Sequence, residues 1–145
     1  MSERTIDVVV AGHICLDILP RFSPDSPRTG SLTELFHPGT LTEMGPMTVS
    51  TGGPVSNTGI NLRTLGMNVE LMGKIGHDFI GKAILDLLAE RQPEKSMVPV
   101  PGEQTSYTIV LAPPGIDRMF LHCPGANDTF GAEDVDYDRV ARGRL

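Results

Sequence analysis

The sequence predicts an α/β protein with a largely parallel sheet and helices on its faces. Two observations carry this prediction: short β-branched runs alternate with amphipathic helical segments, and Gly and Pro residues stand between them as turn signals. The first run, IDVVVAG at 6–12, is apolar and ends in glycine, which is typical of a buried parallel strand. Ligands of such sheets bind beyond the carboxyl ends of the strands, so the segments 12–17 and 52–57 are candidate binding positions.

The chain after the first strand is predicted to pass through a loop and small strands into a helix. PRFSPDSPRTG, at 20–30, is rich in turn formers and indicates an exposed loop. LTELF, TLTEM and MTVST, between 32 and 51, contain β-formers separated by HPG and GP, and they predict short antiparallel strands. GGPVSNTGINLRTLG, at 52–66, then predicts a glycine turn and a helix that Gly66 ends. The expected apolar side of this helix carries Ile60, Leu62 and Leu65.

The remaining elements follow in order. NVELMGKIG predicts a second strand, and Asp78 stands where an N-cap residue would precede the helix FIGKAILDLLAER. QPEKSMVPVPGEQ indicates a linker or an irregular strand. SYTIVLA and RMFLHC predict a hairpin joined by PPGID, and EDVDYDRVARGRL predicts the first turns of another helix. The apolar stripe of the FIGKAILDLLAER helix is expected to contain Phe79, Ile80, Ala83, Ile84, Leu87 and Leu88.

Composition narrows the classes of function. The 145 residues suit one domain, and 18 acidic against 12 basic residues give a net charge of −6, which argues against a nucleic-acid surface. The sequence contains no apolar run near the ~20 residues that span a bilayer, and MSERTID lacks the pattern of a signal peptide. Cys15 and Cys123 offer neither a disulfide framework nor metal spacing. These observations predict a reduced, cytoplasmic protein without membrane contact.

Polar residues at two of the predicted strand and helix ends could bind a ligand. Asp17 follows the first strand and could accept hydrogen bonds from a polyhydroxylated molecule, or it could cap local backbone amides. Gly52 and Gly53 would let backbone amides approach a ligand, and Asn57 could donate to and accept from hydroxyls. For the glycine pair taken alone, a plain turn before a helix is the favoured explanation. The four histidines, at 13, 37, 77 and 122, show no ligand spacing, so no metal site is assigned.

Taken together, the motifs resemble the N-terminal half of the ribokinase-like (PfkB) carbohydrate kinase family. VVVAGHICLD, GGPVSNTGINLRTLG, LMGKIGHDFIGKAILDLL and RMFLHCPGAN occur in the order and at the intervals typical of that family. The resemblance covers nearly the whole chain and implies a ribokinase-like three-layer fold with a small β-lid, of which this chain is the incomplete N-terminal half. The family's first signature matches Gly52, Gly53, Asn57, Leu65, Gly66, Gly76, Asp78 and Gly81.

The resemblance also implies a function. Members transfer the γ-phosphoryl group of ATP to a hydroxyl of a sugar or nucleoside with the help of Mg²⁺. By resemblance, Asp17, Gly52, Gly53 and Asn57 would bind the substrate. Residues 1–145 would be the N-terminal part of a single kinase domain, with lid strands around 32–51 and 105–123 and a possible homodimer through the lid. Cys15 stands where ribokinases carry an asparagine, which puts ribose in doubt as the acceptor.

The stretch GANDTF resembles the family's catalytic GAGD but differs in place and residue type. The family's GAGD lies far downstream, whereas GANDTF begins only about seventy residues after Gly53 and directly after RMFLHC. Asn127 also puts a side chain where backbone would have to meet phosphate. We therefore expect Asp128 to be a turn or cap residue, and we expect no catalytic residue in this chain, so that it is inactive alone.

Two other interpretations remain open at this stage. A non-catalytic sugar-binding or regulatory module would share the same substrate residues without the kinase chemistry. A nicotinamide oxidoreductase has only the strand pattern in its favour, since no GxGxxG follows the first strand.

Overall fold

A computed structural model describes residues 6–23, 25–26, 31–89 and 97–145. Its elements, in chain order, are β1 (Val8–Ala11), β2 (Cys15–Phe22), α1 (Leu32–Leu35), β3 (Met44–Gly52), α2 (Gly53–Thr64), β4 (Val69–Gly76), α3 (Phe79–Ala89), β5 (Met97–Val100), β6 (Tyr107–Leu111), β7 (Met119–Cys123) and α4 (Tyr137–Arg142), with 3-10 turns at Gly125–Asn127 and Ala132–Asp134.

The strands form two sheets. One has the order β1-β4-β5 and is entirely parallel, and the other has the order β3-β2-β6-β7. In the second sheet β2 runs parallel to β6, whereas the β2–β3 and β6–β7 pairs are antiparallel. The parallel sheet and its helices confirm the predicted α/β class, and the second sheet, called the lid sheet below, contains the hairpin predicted from SYTIVLA and RMFLHC.

The β4 strand separates two layers because its side chains alternate between faces. Leu71 and Ile75 are fully buried in a core shared with Val55 of α2 and with Ile84 and Leu88 of α3. The strand's other face is covered by the C-terminal segment.

Polar contacts attach the C-terminal segment to that second face. Lys74 Nζ lies 3.1 Å from the carbonyl oxygen of Thr129 and 3.4 Å from Oδ2 of Asp134. Arg139 Nε lies 3.9 Å from Oε2 of Glu70. The parallel sheet therefore lies between two layers, as the predicted three-layer fold requires.

The last residues of the chain lie along the free side of β1. Ile6 forms a parallel bridge with Gly143, and the N–H of Val9 donates to the carbonyl oxygen of Leu145 at 2.9 Å. The N–H of Leu145 in turn donates to the carbonyl oxygen of Asp7 at 3.1 Å. The β1 strand is consequently hydrogen-bonded on both sides.

The lid sheet corrects the predicted position of Asp17. The sequence predicts a loop over 20–30 and a carboxylate just beyond the end of the first strand, but β2 runs on to Phe22 and Asp17 lies inside it. Of the predicted loop, residues 24 and 27–30 lie outside the described residues. Asp17 pairs with Ser50 on one side and Thr108 on the other. Pairing with two neighbouring strands outweighs the turn-forming composition of the segment.

The predicted small strands between 32 and 51 need a second correction. LTELF forms the short helix α1, which buries only Leu35, and most of TLTEM precedes β3, whose first residue is Met44. A five-residue apolar segment satisfies helical and extended patterns equally, so tertiary contacts decide. MTVST lies within β3, which pairs antiparallel with β2, so the antiparallel prediction is confirmed for this segment.

The helices after residue 52 agree with their predictions except at two side chains. The α2 helix ends at Thr64, with Gly66 in the left-handed region at φ 87°, and α3 follows Asp78. Leu65 and Phe79, both expected on apolar sides, are 79% and 83% exposed, because each lies at a helix end beyond the core. The QPEKSMVPVPGEQ segment contributes strand β5, and its residues 92–96 lie outside the described part of the chain.

Candidate functional site

Asp17 and Gly52 lie against each other where the lid sheet meets the first turn of α2. Gly52 is the last residue of β3 and the N-cap of α2, and a Cβ atom there would overlap the carboxylate of Asp17. Only glycine leaves room for the carboxylate at this point. The first glycine of the GG pair is therefore explained by the side chain packed on it.

Gly53 is required to be glycine by its backbone conformation and by a neighbouring carbonyl group. Its φ of +82° lies in the left-handed region, and a Cβ would lie 2.7 Å from the carbonyl oxygen of His13. The same oxygen accepts a hydrogen bond from the N–H of Val55 at 3.1 Å. The loop between β1 and β2 is thereby fastened to the start of α2.

Asn57 lies about one turn further along α2. Its side chain is exposed, and its carbonyl oxygen accepts a hydrogen bond from Nδ2 of Asn61 at 2.7 Å. Ser56, the preceding residue, is fully buried, with its hydroxyl 2.6 Å from Oγ1 of Thr51. The structure thus brings together three of the four predicted substrate residues and places the fourth, Asn57, on the solvent side of the helix start.

Cys15 contacts Asp17 directly. Its Sγ–H donates to Oδ1 of Asp17 at 3.3 Å, and its Sγ accepts from Oγ1 of Thr108 at 3.8 Å. Thr108 Oγ1 is also 3.0 Å from Nδ1 of His122. Burial, together with the neighbouring Asp17 carboxylate, raises the pKa of the Cys15 thiol to about 11, so the thiol stays protonated and able to donate.

Sequence reasoning missed Thr108 and His122 as neighbours of this site. Alternation along SYTIVLA and RMFLHC gives each residue a face within its own strand, but it does not give the register between strands. The register pairs Asp17 with Thr108 and Thr108 with His122, and only the folded sheet reveals it.

The G-x-D-x-x-G motif serves the packing of α3. Asp78 Oδ1 accepts from the N–H of Gly81 at 2.7 Å, which confirms the predicted N-cap. The same carboxylate accepts from both the N–H and the Oγ1 of Thr105, each at 2.7 Å. Burial acts to raise the pKa of Asp78, but these hydrogen bonds outweigh it and hold that pKa below its ordinary value.

The two glycines of that motif lack a Cβ atom and so leave space for the segment that precedes β6. A Cβ at Gly76 would overlap the carbonyl oxygen of Glu103, and one at Gly81 would lie 2.8 Å from Oγ1 of Thr105. Thr105 Oγ1 also accepts from the N–H of Gly76 at 2.8 Å. The motif therefore fastens α3 to the segment that leads into the lid sheet.

The backbone of the GAND turn is hydrogen-bonded within the chain. The N–H groups of Ala126, Asn127 and Asp128 donate to carbonyl oxygens at 2.7, 3.1 and 3.0 Å, respectively. The side chain of Asp128 is exposed, and the residue ends the 3-10 turn. An anion-binding turn needs free N–H groups, and these three already have partners.

Asn127 bridges the turn to the loop before β2. Its Oδ1 accepts from the N–H of Ile14 at 3.2 Å, and its Nδ2 donates to the carbonyl oxygen of Ile14 at 3.0 Å. Both residues are buried. The asparagine that departs from GAGD therefore holds the backbone of Ile14, the residue immediately before Cys15.

The described residues contain neither a group of metal ligands nor a membrane-spanning helix. In residues 6–23, 25–26, 31–89 and 97–145, no three or more His, Cys, Asp or Glu side chains are grouped so that they could hold a metal ion. In the same ranges, no helix is both long enough and apolar enough to cross a membrane.

The two sheets and the Asp17 site define an α/β protein in which a small lid sheet adjoins the start of a helix. The chain belongs to the pfkB family of carbohydrate kinases, whose family model matches residues 15–142. No curated protein matches the sequence.

Solved structures agree with the family. Ribokinase from Thermotoga maritima superposes with a TM-score of 0.72 at 17% identity, over 94% of this chain and 42% of that one. Fructokinase from Halothermothrix orenii gives 0.70 at 21% identity, over 96% and 44%. Ribokinase from Cryptococcus neoformans, solved in complex with ADP, gives 0.60 at 20% identity, over 84% and 36%. The chain thus spans less than half the length of these structures, and the ribokinase-like fold is shown.

Proposed function

We propose that this chain is the acceptor-binding part of a carbohydrate kinase that transfers the γ-phosphoryl group of ATP to a hydroxyl of a sugar or sugar-like molecule. The observation that carries the proposal is the Asp17 carboxylate, packed on Gly52 where the lid sheet meets the start of α2. Family membership supports the reaction, and the ADP in the Cryptococcus ribokinase supports ATP as the donor.

Asp17 would bind the acceptor through its two carboxylate oxygens. One of them, Oδ1, accepts the thiol hydrogen bond of Cys15 and keeps a further lone pair, while Oδ2 carries no protein hydrogen bond among those described. Hydrogen bonds from two neighbouring sugar hydroxyls would fix the ring relative to the lid sheet. Such positioning is the main requirement of phosphoryl transfer, which needs little covalent chemistry from the protein.

Gly52, Gly53 and Asn57 would complete the acceptor site. Gly52 and Gly53 give the start of α2 a backbone without side chains, and the exposed amide of Asn57 can both donate and accept. Residues 1–145 would form the N-terminal part of one kinase domain, with the lid sheet built from 15–22, 44–52, 107–111 and 119–123. A homodimer through the lid and a cytoplasmic location stay predictions.

The GAND turn does not fit a site for the transferred phosphoryl group among the described residues. The described residues contain no group of three potential metal ligands, and the N–H groups of the GAND turn are occupied. The internal hydrogen bonds of the turn support the proposal that Asp128 is a turn residue and not a catalytic base.

A sugar-binding module without kinase chemistry is the second candidate. The observation in its favour is that Asn127 and its turn form hydrogen bonds within the chain. A protein that only binds sugar does not need the N–H groups of this turn to bind phosphate. Both candidates share the Asp17 site, so they differ only in phosphoryl transfer.

The test combines binding and turnover. Calorimetric titration of the 145-residue chain with D-ribose, D-fructose and other sugars is expected to show binding, and an ADP-release assay over the same panel is expected to show no turnover. Absence of binding to every sugar, by a chain whose circular dichroism shows the helices and strands of the fold, would overturn the acceptor site. Turnover that Asp128→Ala abolishes, but that Asp17→Ala leaves intact, would overturn both assignments.

A further inference from the structure

Four polar side chains share one face of the lid sheet across three strands. Cys15 and Asp17 are two residues apart on β2 and so point to the same face. Thr108 on β6 pairs with Asp17, and His122 on β7 pairs with Thr108. Directly paired residues also share a face, so the four side chains form a continuous row.

The hydrogens in this row run in one direction. A carboxylate only accepts, so the single thiol hydrogen of Cys15 is donated to Oδ1 of Asp17. The Cys15 sulfur is then the acceptor for the hydroxyl hydrogen of Thr108, at 3.8 Å. Thr108 Oγ1 and His122 Nδ1 are 3.0 Å apart, and because the hydroxyl hydrogen is directed to sulfur, we infer that Oγ1 accepts from Nδ1–H of His122.

Burial differs sharply between the two ends of the row. Cys15 and Thr108 are each 7% exposed, whereas His122 is exposed on the outer strand of the sheet. Water competes little for the middle hydrogen bond, from Thr108 to Cys15, so the orientation set at one end is kept at the other. The row thus joins the solvent-facing β7 to the carboxylate beside Gly52.

We propose that Cys15, Thr108 and His122 are positioning residues, which orient the Asp17 carboxylate for the acceptor through a one-directional hydrogen-bond chain from His122 Nδ1–H. This rests on the proposed function, since it concerns the same acceptor site. Oδ1 is held by the thiol, and Oδ2 is left to take the acceptor's hydroxyl. His122, on the outer strand β7, then contributes to acceptor affinity without contacting the acceptor.

Conservative and disruptive substitutions test the chain at both of its ends. Cys15→Ala removes the donor to Asp17, and His122→Leu removes the first donor, whereas Cys15→Ser and His122→Asn each keep a donor at the required position. We expect calorimetric titration with D-fructose and D-ribose to show about two- to tenfold weaker binding for the disruptive variants. The conservative variants should stay within about twofold of the unaltered chain.

His37→Leu is the matched control, because His37 is also exposed but lies outside the lid sheet. Unchanged affinity in Cys15→Ala or His122→Leu, or an equal loss in His37→Leu, overturns the proposal. Thermal unfolding of each variant separates a changed affinity from a failure to fold.

A second measurement does not depend on sugar binding. Nitrogen-15 NMR of the neutral His122 ring is expected to show the Nδ1–H tautomer. Asp17→Asn is expected to lower the pKa of the Cys15 thiol, which is measured as the dependence of its alkylation rate on pH. An Nε2–H tautomer, or a thiol pKa that Asp17→Asn leaves unchanged, overturns the chain. If both results are as expected and no sugar binds, the proposed function fails while the hydrogen-bond chain stands.

Discussion

Asp17 is the residue on which the proposed acceptor site depends, and its contacts restrict which residues can stand beside it. The carboxylate is packed on Gly52, where any Cβ would overlap it, and it accepts the thiol hydrogen of Cys15. The carboxylate therefore contacts both the glycine and the protonated thiol. One substitution at Asp17 and one at Gly52 test these contacts.

Asp17→Asn is expected to weaken sugar binding by about ten- to a hundredfold, because an amide replaces only part of the charge-assisted hydrogen bonding of a carboxylate. ATP affinity of a longer chain that includes the nucleotide site should stay nearly unchanged. Calorimetric titration of each ligand measures both. Asp138→Asn, an exposed position in α4, is the control. Intact sugar binding, or an equal fall in ATP binding, would show that Asp17 is a structural residue only.

Gly52→Ala should abolish sugar binding and lower the free energy of unfolding, because the new methyl group must displace the Asp17 carboxylate. In an Asp17→Ala background the same substitution has no carboxylate to displace and should cost clearly less. Denaturant unfolding of the four proteins gives the coupling between the two positions. Additive effects would contradict the direct contact.

At the scale of elements, α3 and the segment before β6 are joined through one carboxylate. Asp78 caps the helix and also binds both donors of Thr105, while Gly76 and Gly81 leave the space for this contact. The signature motif of the family therefore has a structural explanation in this chain, independent of any ligand.

Asp78→Ala is expected to lower the free energy of unfolding by about 1–3 kcal/mol, because it removes a helix cap and leaves Thr105 without its partner. Asp86→Ala is the control, since Asp86 only forms an exposed pair with Lys82. Denaturant unfolding followed by circular dichroism measures both. Equal losses in the two variants would mean that the cap contributes nothing specific.

Acid titration tests the same carboxylate in another way. The pKa of Asp78 is lower in the folded chain than its ordinary 3.8, so its contribution to stability is present above that value and is lost as the pH falls through the folded pKa. Between about pH 4 and pH 2, the chain should therefore lose more stability than Asp78→Ala does. Parallel curves for the two proteins would contradict the hydrogen-bonded carboxylate.

At the scale of the whole molecule, two sheets and their helices enclose a core that leaves large apolar side chains outside. Leu65, Phe79 and Leu145 are 79%, 83% and 84% exposed, and β5 pairs with β4 alone among the described strands. Exposed apolar groups and open strand edges favour association. The aligned structures are more than twice as long as the chain.

We expect the 145-residue chain to be marginally stable in solution, to bind a hydrophobic dye and to elute partly as larger species in size-exclusion chromatography. The exposed apolar side chains are the physical reason. Thermal unfolding should be broad. A compact monomer with a sharp cooperative transition and no dye binding would contradict this expectation.

The sequence by itself determined what depends on local pattern: the order of strands and helices from residue 52 onward, the cap at Asp78, the glycine turn at Gly52 and the family. These features need only neighbours in the chain, so spacing and residue type suffice to predict them. The sequence also predicts that GANDTF is not the catalytic GAGD, because its position along the chain is visible without a structure.

Only the tertiary structure decided where Asp17 lies and what touches it. Its strand belongs to the lid sheet, where Asp17 pairs with Thr108, 91 residues further along the chain. Asn127 likewise forms a pair of hydrogen bonds to Ile14, 113 residues away. Strand register and contacts of this kind join segments that share no local pattern. They are fixed when the sheets pair and the core closes, and no spacing within the sequence encodes them in readable form.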